Sequence, residues 1–210
     1  MNTPFFSKVL IANRGEVALR IVRALHDLGI ASVAVYADDD AASPHVGAAT
    51  QAVALGATGP AAYLDGARLL AIAREHGCDA VHPGYGFLSE RADFARACAD
   101  AGLRFIGPTP GQLDLFGDKA QARSLAMRCG VPLMPGTQAA VSLEEAQAFW
   151  HSQQGAGIVI KAIGGGGGRG MRAVQSLDEL PAAYARCRSE AQAAFGVDGV
   201  YVERLMANAR

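Results

Sequence analysis

Six glycines occupy seven consecutive positions from Gly164 to Gly170, and Arg169 is the other member of this glycine tract. Each ordered glycine costs roughly 0.5–1 kcal/mol relative to alanine, so a bound ligand is expected to offset the cost. Without side chains in the way, backbone N–H groups can converge on an anion. Lys161 lies just before the tract, at the end of an apolar run. The pattern predicts a phosphate-binding loop, although a flexible hairpin tip also fits the composition.

Two common phosphate-binding patterns are excluded. No Gly-Lys-Ser/Thr follows the glycines, so the tract is not a Walker loop. It falls between two predicted strands, 158–162 and 171–174, whereas a Rossmann fingerprint opens a helix. What remains is a glycine hairpin over nucleotide phosphates, as in kinases or ATP-grasp enzymes.

The elements before residue 108 alternate between strand and helix patterns. We predict strands at 8–12, 32–36, 79–82 and 103–107, with helices at 16–28, 65–75 and 91–100. This alternation predicts a Rossmann-like parallel sheet with helices on both faces. Asn13-Arg14-Gly15 and His82-Pro83-Gly84-Tyr85 follow strands, where ligand-facing loops of such sheets lie. A structural interpretation is that Asn13 caps the first helix and Arg14 pairs locally.

A different pattern follows. Residues 109–130 look helical, and prolines at 132 and 135 interrupt the chain. Helices are expected at 142–151 and 177–195, and strands at 158–162, 171–174 and 200–203. We therefore predict an α/β fold with three parts: a Rossmann-like domain at 1–116, a helical linker at 117–135, and a small α+β lid subdomain at 136–210.

Composition excludes several classes of function. Half of the 210 residues are hydrophobic, 19% are charged and the net charge is −1, which indicates a globular protein without a nucleic-acid or membrane partner. The cysteines at 78, 98, 129 and 187 form no CxxC pair, which argues against zinc or a disulfide framework. No signal peptide or bilayer-length apolar run occurs, so a cytoplasmic location is expected.

The sequence KAIGGGGGRGM at 161–171 resembles the ATP-grasp flap of biotin carboxylases. Four further segments are similar to that family in the same order. They are IANRGEVA at 11–18, HPGYGFLSE at 82–90, FIGP at 105–108 with GDK at 117–119, and YVER at 201–204. One departure is Gly155-Ala156-Gly157, where many relatives carry an aromatic residue and proline. The resemblance covers residues 9–210.

The resemblance implies roles for particular residues. Lys119 and Lys161 would contact ATP phosphates, and the flap backbone would close over them. The residues implied to bind ATP are Lys119, Lys161, Gly166, Gly167, Gly168, Glu203, Arg204, Leu205 and Met206. His82 and Tyr85 would lie near the carboxylation centre and biotin, although HPGYG also fits a rigid turn. Glu203 and Lys119, taken without the resemblance, fit surface side chains.

The resemblance also implies an activity and partners. ATP would phosphorylate bicarbonate, and the carboxyphosphate formed would carboxylate biotin on a carrier protein, as in an acyl-CoA or acetyl-CoA type carboxylase. The cofactors would be ATP and Mg²⁺, with biotin as carrier-bound substrate. The partners would be a biotin carrier, a carboxyltransferase component and a second copy bound through the first domain. The final acceptor, an acyl-CoA, pyruvate or urea, is not encoded here.

The resemblance implies that part of the active site is missing from these 210 residues. The magnesium ligands, the base and the biotin-facing arginine would lie beyond residue 210, so we expect a chain truncated before the C-terminal ATP-grasp part and inactive alone. No catalytic residue or metal ligand is assigned within it. The alternatives are another ATP-grasp ligase of the carbamoyl-phosphate type, a Rossmann oxidoreductase, and a non-catalytic fragment that binds a nucleotide or a partner.

Overall fold

The computed structural model describes residues 5–163 and 170–206. Most of the glycine tract, including Gly166, Gly167 and Gly168, lies outside these ranges. The chain packs as two compact units, Met1–Asp114 (unit 1) and Leu115–Arg210 (unit 2). The finer division with a linker at 117–135 stays a prediction.

Unit 1 is built on a parallel sheet, as the alternating pattern predicted. Within the described ranges the sheet has five strands in the order β3-β2-β1-β4-β5. The strands are β1 (Lys8–Ile11), β2 (Ala31–Tyr36), β3 (Gln51–Ala54), β4 (Ala80–His82) and β5 (Arg104–Phe105). The strand order reverses between β1 and β4, and the crevice at such a switch point is where doubly wound sheets bind ligands.

Helices cover both faces of this sheet. In unit 1 they are α1 (Gly15–Asp27), α2 (Pro44–Ala48), α3 (Gly66–Glu75) and α4 (Ala92–Asp100). Val9 and Ile11 of β1 pack with the buried face of α1, whereas Leu10 packs on the opposite face with α3 and α4. Because successive side chains of a strand point to opposite faces, unit 1 has one hydrophobic core on each face of its sheet.

Two elements of unit 1 were missed by the sequence analysis. The helix α2 has only five residues, too few for an apolar period to appear. The strand β3 has the sequence QAVA and lies at the sheet edge with mostly exposed side chains, so alternation of hydrophobicity could not reveal it. The short 3₁₀ helices at Asp38–Asp40 and Pro60–Leu64 were also missed, because, like α2, they are too short to show an apolar period.

Unit 2 packs helices against one face of a small antiparallel sheet. Its described strands have the order β7-β6-β8, with β6 (Ile158–Ala162), β7 (Met171–Val174) and β8 (Val200–Arg204). The later helices are α5 (Pro110–Gly117), α6 (Lys119–Arg128), α7 (Leu143–Ser152) and α8 (Leu180–Phe195). Trp150 of α7 and Leu180 of α8 pack on Ile158 and Ile160 of β6, and these residues form the core of unit 2.

The start of α7 is held by a capping box. The Ser142 hydroxyl accepts from the Glu145 backbone N–H at 3.2 Å, and the Glu145 carboxylate accepts from the Ser142 N–H at 2.7 Å. Two otherwise unpaired N–H groups are satisfied in this way. The boundary at residue 142 predicted from sequence is therefore confirmed at the Ser142 cap.

Candidate functional site

The face of the unit 2 sheet that points away from α7 and α8 carries the polar side chains. In the antiparallel register Lys161 is opposite Tyr201, and Val159 is opposite Glu203. Lys161 and Glu203 are therefore diagonal neighbours on the same face, within reach of long side chains. We call this face, with the α6 side chains that contact it, the open face.

Glu203 is the centre of an ion-pair network on the open face. Its Oε2 accepts from the Lys161 Nζ at 2.5 Å, and its Oε1 accepts from the Arg123 Nη1 at 2.6 Å. The side chains of Glu203 and Arg123 are only 13% and 14% exposed, and that of Lys161 is 29% exposed. Water screens such partly buried pairs less than surface pairs, so their geometry is well defined.

Lys119 brings a further cation to this network from the first residue of α6. Its ammonium donates to the carbonyl oxygens of Ala162 at 3.1 Å and Ile163 at 3.4 Å, directly before the glycine tract. Burial lowers the pKa of Lys119, the neighbouring Lys161 lowers it further, and Glu203 opposes both. The ammonium therefore lies where an added anion would relieve repulsion between two cations.

The open face can bind an anion because its cations outnumber its carboxylates. Among the described contacts of this network, Lys119, Arg123 and Lys161 lie around one carboxylate, that of Glu203, so the cations are in excess. Cations with fixed geometry beside a glycine loop are the elements that stabilise phosphate groups. The structure thus brings Lys119, Lys161 and Glu203 together, and their roles in binding ATP stay predictions.

Arg123 was missed by the sequence analysis. It is the fifth residue of a helix with an ordinary charged composition, and nothing in its spacing distinguishes it from a solvated arginine. Its contact with Glu203 spans 80 residues of chain, which a local pattern cannot reveal.

The backbone N–H groups of the two residues after Glu203 donate hydrogen bonds to other segments of unit 2. The Arg204 N–H donates to the Pro135 carbonyl at 2.8 Å, and the Leu205 N–H donates to the Gly157 carbonyl at 3.0 Å. Met206 is 56% exposed. The nucleotide-binding roles of Arg204, Leu205 and Met206 stay predictions.

In unit 1, Asn13 joins the two loops at the switch point of the sheet. Its Nδ2 donates to the carbonyls of Pro83 at 2.7 Å and Tyr85 at 2.9 Å. The prediction that Asn13 caps α1 is wrong: the N-cap is Arg14, and no side chain caps it. The amide is used instead to satisfy the buried carbonyl of Pro83 and the part-buried carbonyl of Tyr85.

His82 and Tyr85 lie in the loop that Asn13 holds. The His82 Nδ1 accepts from the Gly84 N–H at 3.0 Å, and burial lowers the pKa of His82. The Tyr85 ring is 67% exposed, and its hydroxyl donates to Glu16 at 2.6 Å. The loop is therefore a defined turn with an exposed aromatic side chain, and the predicted biotin-binding role of both residues stays a prediction.

Arg14 forms a long-range pair instead of the local one that was predicted. Its guanidinium contacts both oxygens of Asp40 at 2.5 Å, and the Tyr63 hydroxyl donates to the same carboxylate at 2.8 Å. The hydrogen bonds from Arg14 lower the pKa of Asp40 to about 2. Burial raises the pKa of Tyr63 to about 12. This network fixes the turn after β2 against the start of α1.

Three of the cysteines, Cys78, Cys98 and Cys187, are buried thiols, and Cys129 is exposed. Among residues 5–163 and 170–206, no group of three or more His, Cys, Asp or Glu side chains could hold a metal ion. In the same ranges no helix is both long and apolar enough to cross a bilayer.

Comparison with protein families and known proteins gives the same division of the chain into two parts. Residues 5–113 match a family model described as biotin carboxylase, N-terminal domain. Residues 118–210 match one described as carbamoyl-phosphate synthase L chain, ATP binding domain. A curated relative, mitochondrial pyruvate carboxylase of Rattus norvegicus, is 50% identical over 206 residues, which is 97% of this chain and 17% of the relative. The chain thus spans about a sixth of the length of the curated relatives it matches.

Solved structures show the same fold. The biotin carboxylase domain dimer of Hydrogenobacter thermophilus 2-oxoglutarate carboxylase, in complex with MgADP, ADP and bicarbonate, aligns with a TM-score of 0.92 and 40% identity. The alignment covers 98% of this chain and 46% of that one. A Campylobacter jejuni biotin carboxylase–β,γ-ATP complex aligns with a TM-score of 0.92 and 36% identity, over 97% of this chain and 46% of that one.

Proposed function

Because this chain belongs to the biotin carboxylase family, we propose that it forms the front portion of an ATP-dependent enzyme that carboxylates biotin on a carrier protein. The overall reaction would convert ATP, bicarbonate and carrier-bound biotin to ADP, phosphate and carboxybiotin. The observation that carries the proposal is the open face, where Lys119 and Lys161 flank the start of the glycine tract and Glu203 lies between Lys161 and Arg123.

The proposed nucleotide site follows the charges of the open face. The triphosphate would lie against Lys119 and Lys161, where it would relieve their mutual repulsion. The tract backbone would donate to the same phosphates. The base would lie toward Glu203, because a carboxylate repels phosphate but accepts from an amino group. The residues proposed for the nucleotide are Lys119, Lys161, Gly166, Gly167, Gly168, Glu203, Arg204, Leu205 and Met206.

The chemistry that this chain could contribute is charge stabilisation. During transfer of the γ-phosphoryl group to bicarbonate, negative charge spreads over the transferred group and the leaving oxygen. Two ammonium groups of fixed position stabilise that charge without reorganisation in the transition state. Mg²⁺ belongs to the proposed reaction, and its protein ligands would lie beyond residue 210, since the described residues contain no group of three or more His, Cys, Asp or Glu side chains that could hold a metal ion.

The switch-point loops of unit 1 are proposed to serve the second half of the reaction. Tyr85 is exposed and its hydroxyl is oriented by Glu16, so it could contact a planar polar ring such as the ureido group of biotin. His82 lies beside it, with its Nδ1 already engaged by the Gly84 N–H.

The proposed partners are a biotin carrier, a carboxyltransferase component and a second copy of the chain bound through unit 1. The final acceptor is open between an acyl-CoA, pyruvate and urea, and the pyruvate carboxylase relative makes pyruvate the first acceptor to assay. A cytoplasmic location and the division into residues 1–116, 117–135 and 136–210 belong to the same proposal.

Nucleotide binding by the purified chain tests the core of this proposal. Calorimetric titration with ATP is expected to show binding that weakens at least tenfold in Lys161→Met, since a charged hydrogen bond contributes about 1.5–3 kcal/mol. Lys8→Met is the matched control, because the Lys8 ammonium donates to the His76 carbonyl in unit 1. Binding of NADH with no binding of ATP would favour a Rossmann oxidoreductase instead.

Catalysis requires a separate assay. Biotin- and bicarbonate-dependent phosphate release is expected from the full carboxylase and not from the 210-residue chain. Turnover by the chain alone would contradict the expectation that further catalytic groups are required. ATP-dependent carbamoyl phosphate formation by the full enzyme would instead favour the ligase class of the second matched family model.

A further inference from the structure

Arg123 joins three parts of unit 2 through a single guanidinium. Its Nη1 donates to the Glu203 Oε1 at 2.6 Å, and its Nη2 donates to the Met134 carbonyl at 2.9 Å. Its Nε is buried and has no hydrogen-bond partner among residues 5–163 and 170–206. The guanidinium thus links α6, which carries it, to the segment between α6 and α7 at Met134 and to strand β8 at Glu203.

The Glu203 side chain is confined from the other side by Gly136. A Cβ at Gly136 would lie 2.9 Å from the Glu203 Cγ, 3.0 Å from the Val202 carbonyl oxygen and 3.1 Å from the Arg123 Nη2. The backbone of residues 135–137 runs along β8, with the Arg204 N–H donating to Pro135 and the Thr137 N–H donating to Val202. Glu203 therefore has little freedom to adopt another rotamer while Arg123 and Gly136 are in place.

The two carboxylate oxygens of Glu203 have different surroundings. Oε1 accepts from Arg123 on the side of Gly136, whereas Oε2 accepts from Lys161 on the open face. An ionised carboxylate oxygen has two lone pairs and cannot donate. After one bond to Lys161, Oε2 can still accept one N–H from a ligand.

Glu203 and Lys161 lie at different positions along the sheet, although the ends of their side chains meet at 2.5 Å. Glu203 is opposite Val159, two residues back from Lys161 and so about 7 Å further from the glycine tract. In the proposed ATP site the phosphates contact Lys119 and Lys161, and the base lies toward Glu203. An acceptor-only group there selects a donor, such as the 6-amino group of adenine, and rejects the 6-oxo group of hypoxanthine or guanine.

We propose that Arg123 is the positioning residue for base selection: by holding Oε1 it keeps Oε2 of Glu203 aimed as the acceptor that distinguishes a 6-amino from a 6-oxo purine nucleotide. This rests on the proposed ATP site of the open face. Removing Arg123 frees the carboxylate to rotate, so the selection weakens even where phosphate binding persists.

The test compares ATP with ITP, which has a 6-oxo group and a protonated N1 where ATP has a 6-amino group and an unprotonated N1. Dissociation constants of both nucleotides are measured for the wild-type chain and for Arg123→Met, Arg123→Lys and the control Arg188→Met. Arg188 forms an ion pair with Asp198, away from the open face. The wild-type chain is expected to prefer ATP. In Arg123→Met this preference is expected to fall about tenfold, the size of one hydrogen bond to a charged group. Arg123→Lys is expected to recover part of it, and Arg188→Met to leave it unchanged.

A purely structural arginine would weaken ATP and ITP equally, so an unchanged ratio in Arg123→Met overturns the inference. If the wild-type chain binds neither nucleotide, the proposed function fails, and the crystal structure of Arg123→Met then decides the inference separately. In that structure the Glu203 carboxylate is expected to leave its wild-type position. A carboxylate that keeps its 2.5 Å contact with Lys161 overturns the positioning role.

Discussion

Gly84→Ala is expected to destabilise unit 1 for two reasons that can be separated. Gly84 has φ of +66°, a left-handed conformation that costs an L-residue about 1–2 kcal/mol. A Cβ at this position would also lie 2.7 Å from both the Asn13 Nδ2 and the Val17 Cγ1. Asn13 cannot yield without weakening its bonds to Pro83 and Tyr85, which contribute about 0.5–1.5 kcal/mol each. The sum is about 2–5 kcal/mol.

Gly86→Ala is the matched control in the same loop. Gly86 has φ of +69°, and a Cβ there would meet no atom within 4 Å. Only the conformational cost of about 1–2 kcal/mol applies. Alanine also restricts the unfolded chain, but by the same amount at both positions, so this contribution cancels in the comparison.

Hydrogen exchange is the appropriate assay because it resolves unit 1 from unit 2. Amides of β1 and β4 are expected to lose about 1–3 kcal/mol more protection in Gly84→Ala than in Gly86→Ala. The fluorescence of Trp150 reports on unit 2 and is expected to keep its urea midpoint in both variants. Equal losses in the two variants would refute the reasoning that the Asn13 contact restricts position 84.

The remaining predictions concern stability and reactivity. Because the pKa of Asp40 falls from 3.8 to about 2 in the folded state, its stabilisation is present above pH 4 and is lost as the pH falls from about 4 to 2. Allowing for the partly exposed Arg14, the loss is about 1–2 kcal/mol, and urea titrations of Asp40→Asn are expected to lack this pH dependence. Ser142→Ala removes half of the capping box and is expected to lower the stability of unit 2 by about 0.5–2 kcal/mol, seen as a lower urea midpoint of Trp150 fluorescence. An unchanged midpoint would contradict a role for the cap. Iodoacetamide at pH 8 is expected to modify Cys129 first in the native chain, because the three buried thiols are shielded and burial raises their pKa values. Mass spectrometry that finds Cys78 or Cys98 modified as fast would contradict this.

The sequence predicted the elements well where an apolar period was long enough to be recognised. The strands around Lys161 and Glu203 and the helix α1 were located within one or two residues. Prediction failed where the period was short or hidden by small residues, as in α2 and β3.

The candidate site was predicted only in part, for a physical reason. Lys119, Lys161 and Glu203 were identified through the resemblance, whereas Arg123 was not, since its role arises from a contact between distant parts of the chain. Asn13 was misassigned as a cap because a local hydrogen bond is the simplest use for an asparagine before a helix. In the fold it donates to the carbonyls of Pro83 and Tyr85 instead.

Strand β8 has a consequence for the order in which the chain can acquire its structure during synthesis. Unit 1 has all its described strands by Phe105, so it can fold while later residues are still being added. In unit 2, one edge of β6 and the carboxylate partner of Arg123 are supplied by Val200–Arg204. Until the ribosome releases that segment, β6 has an unpaired edge and Arg123 lacks its anion. Unit 2 is therefore most exposed to misassembly and chaperone binding before Val200–Arg204 is available to pair with β6.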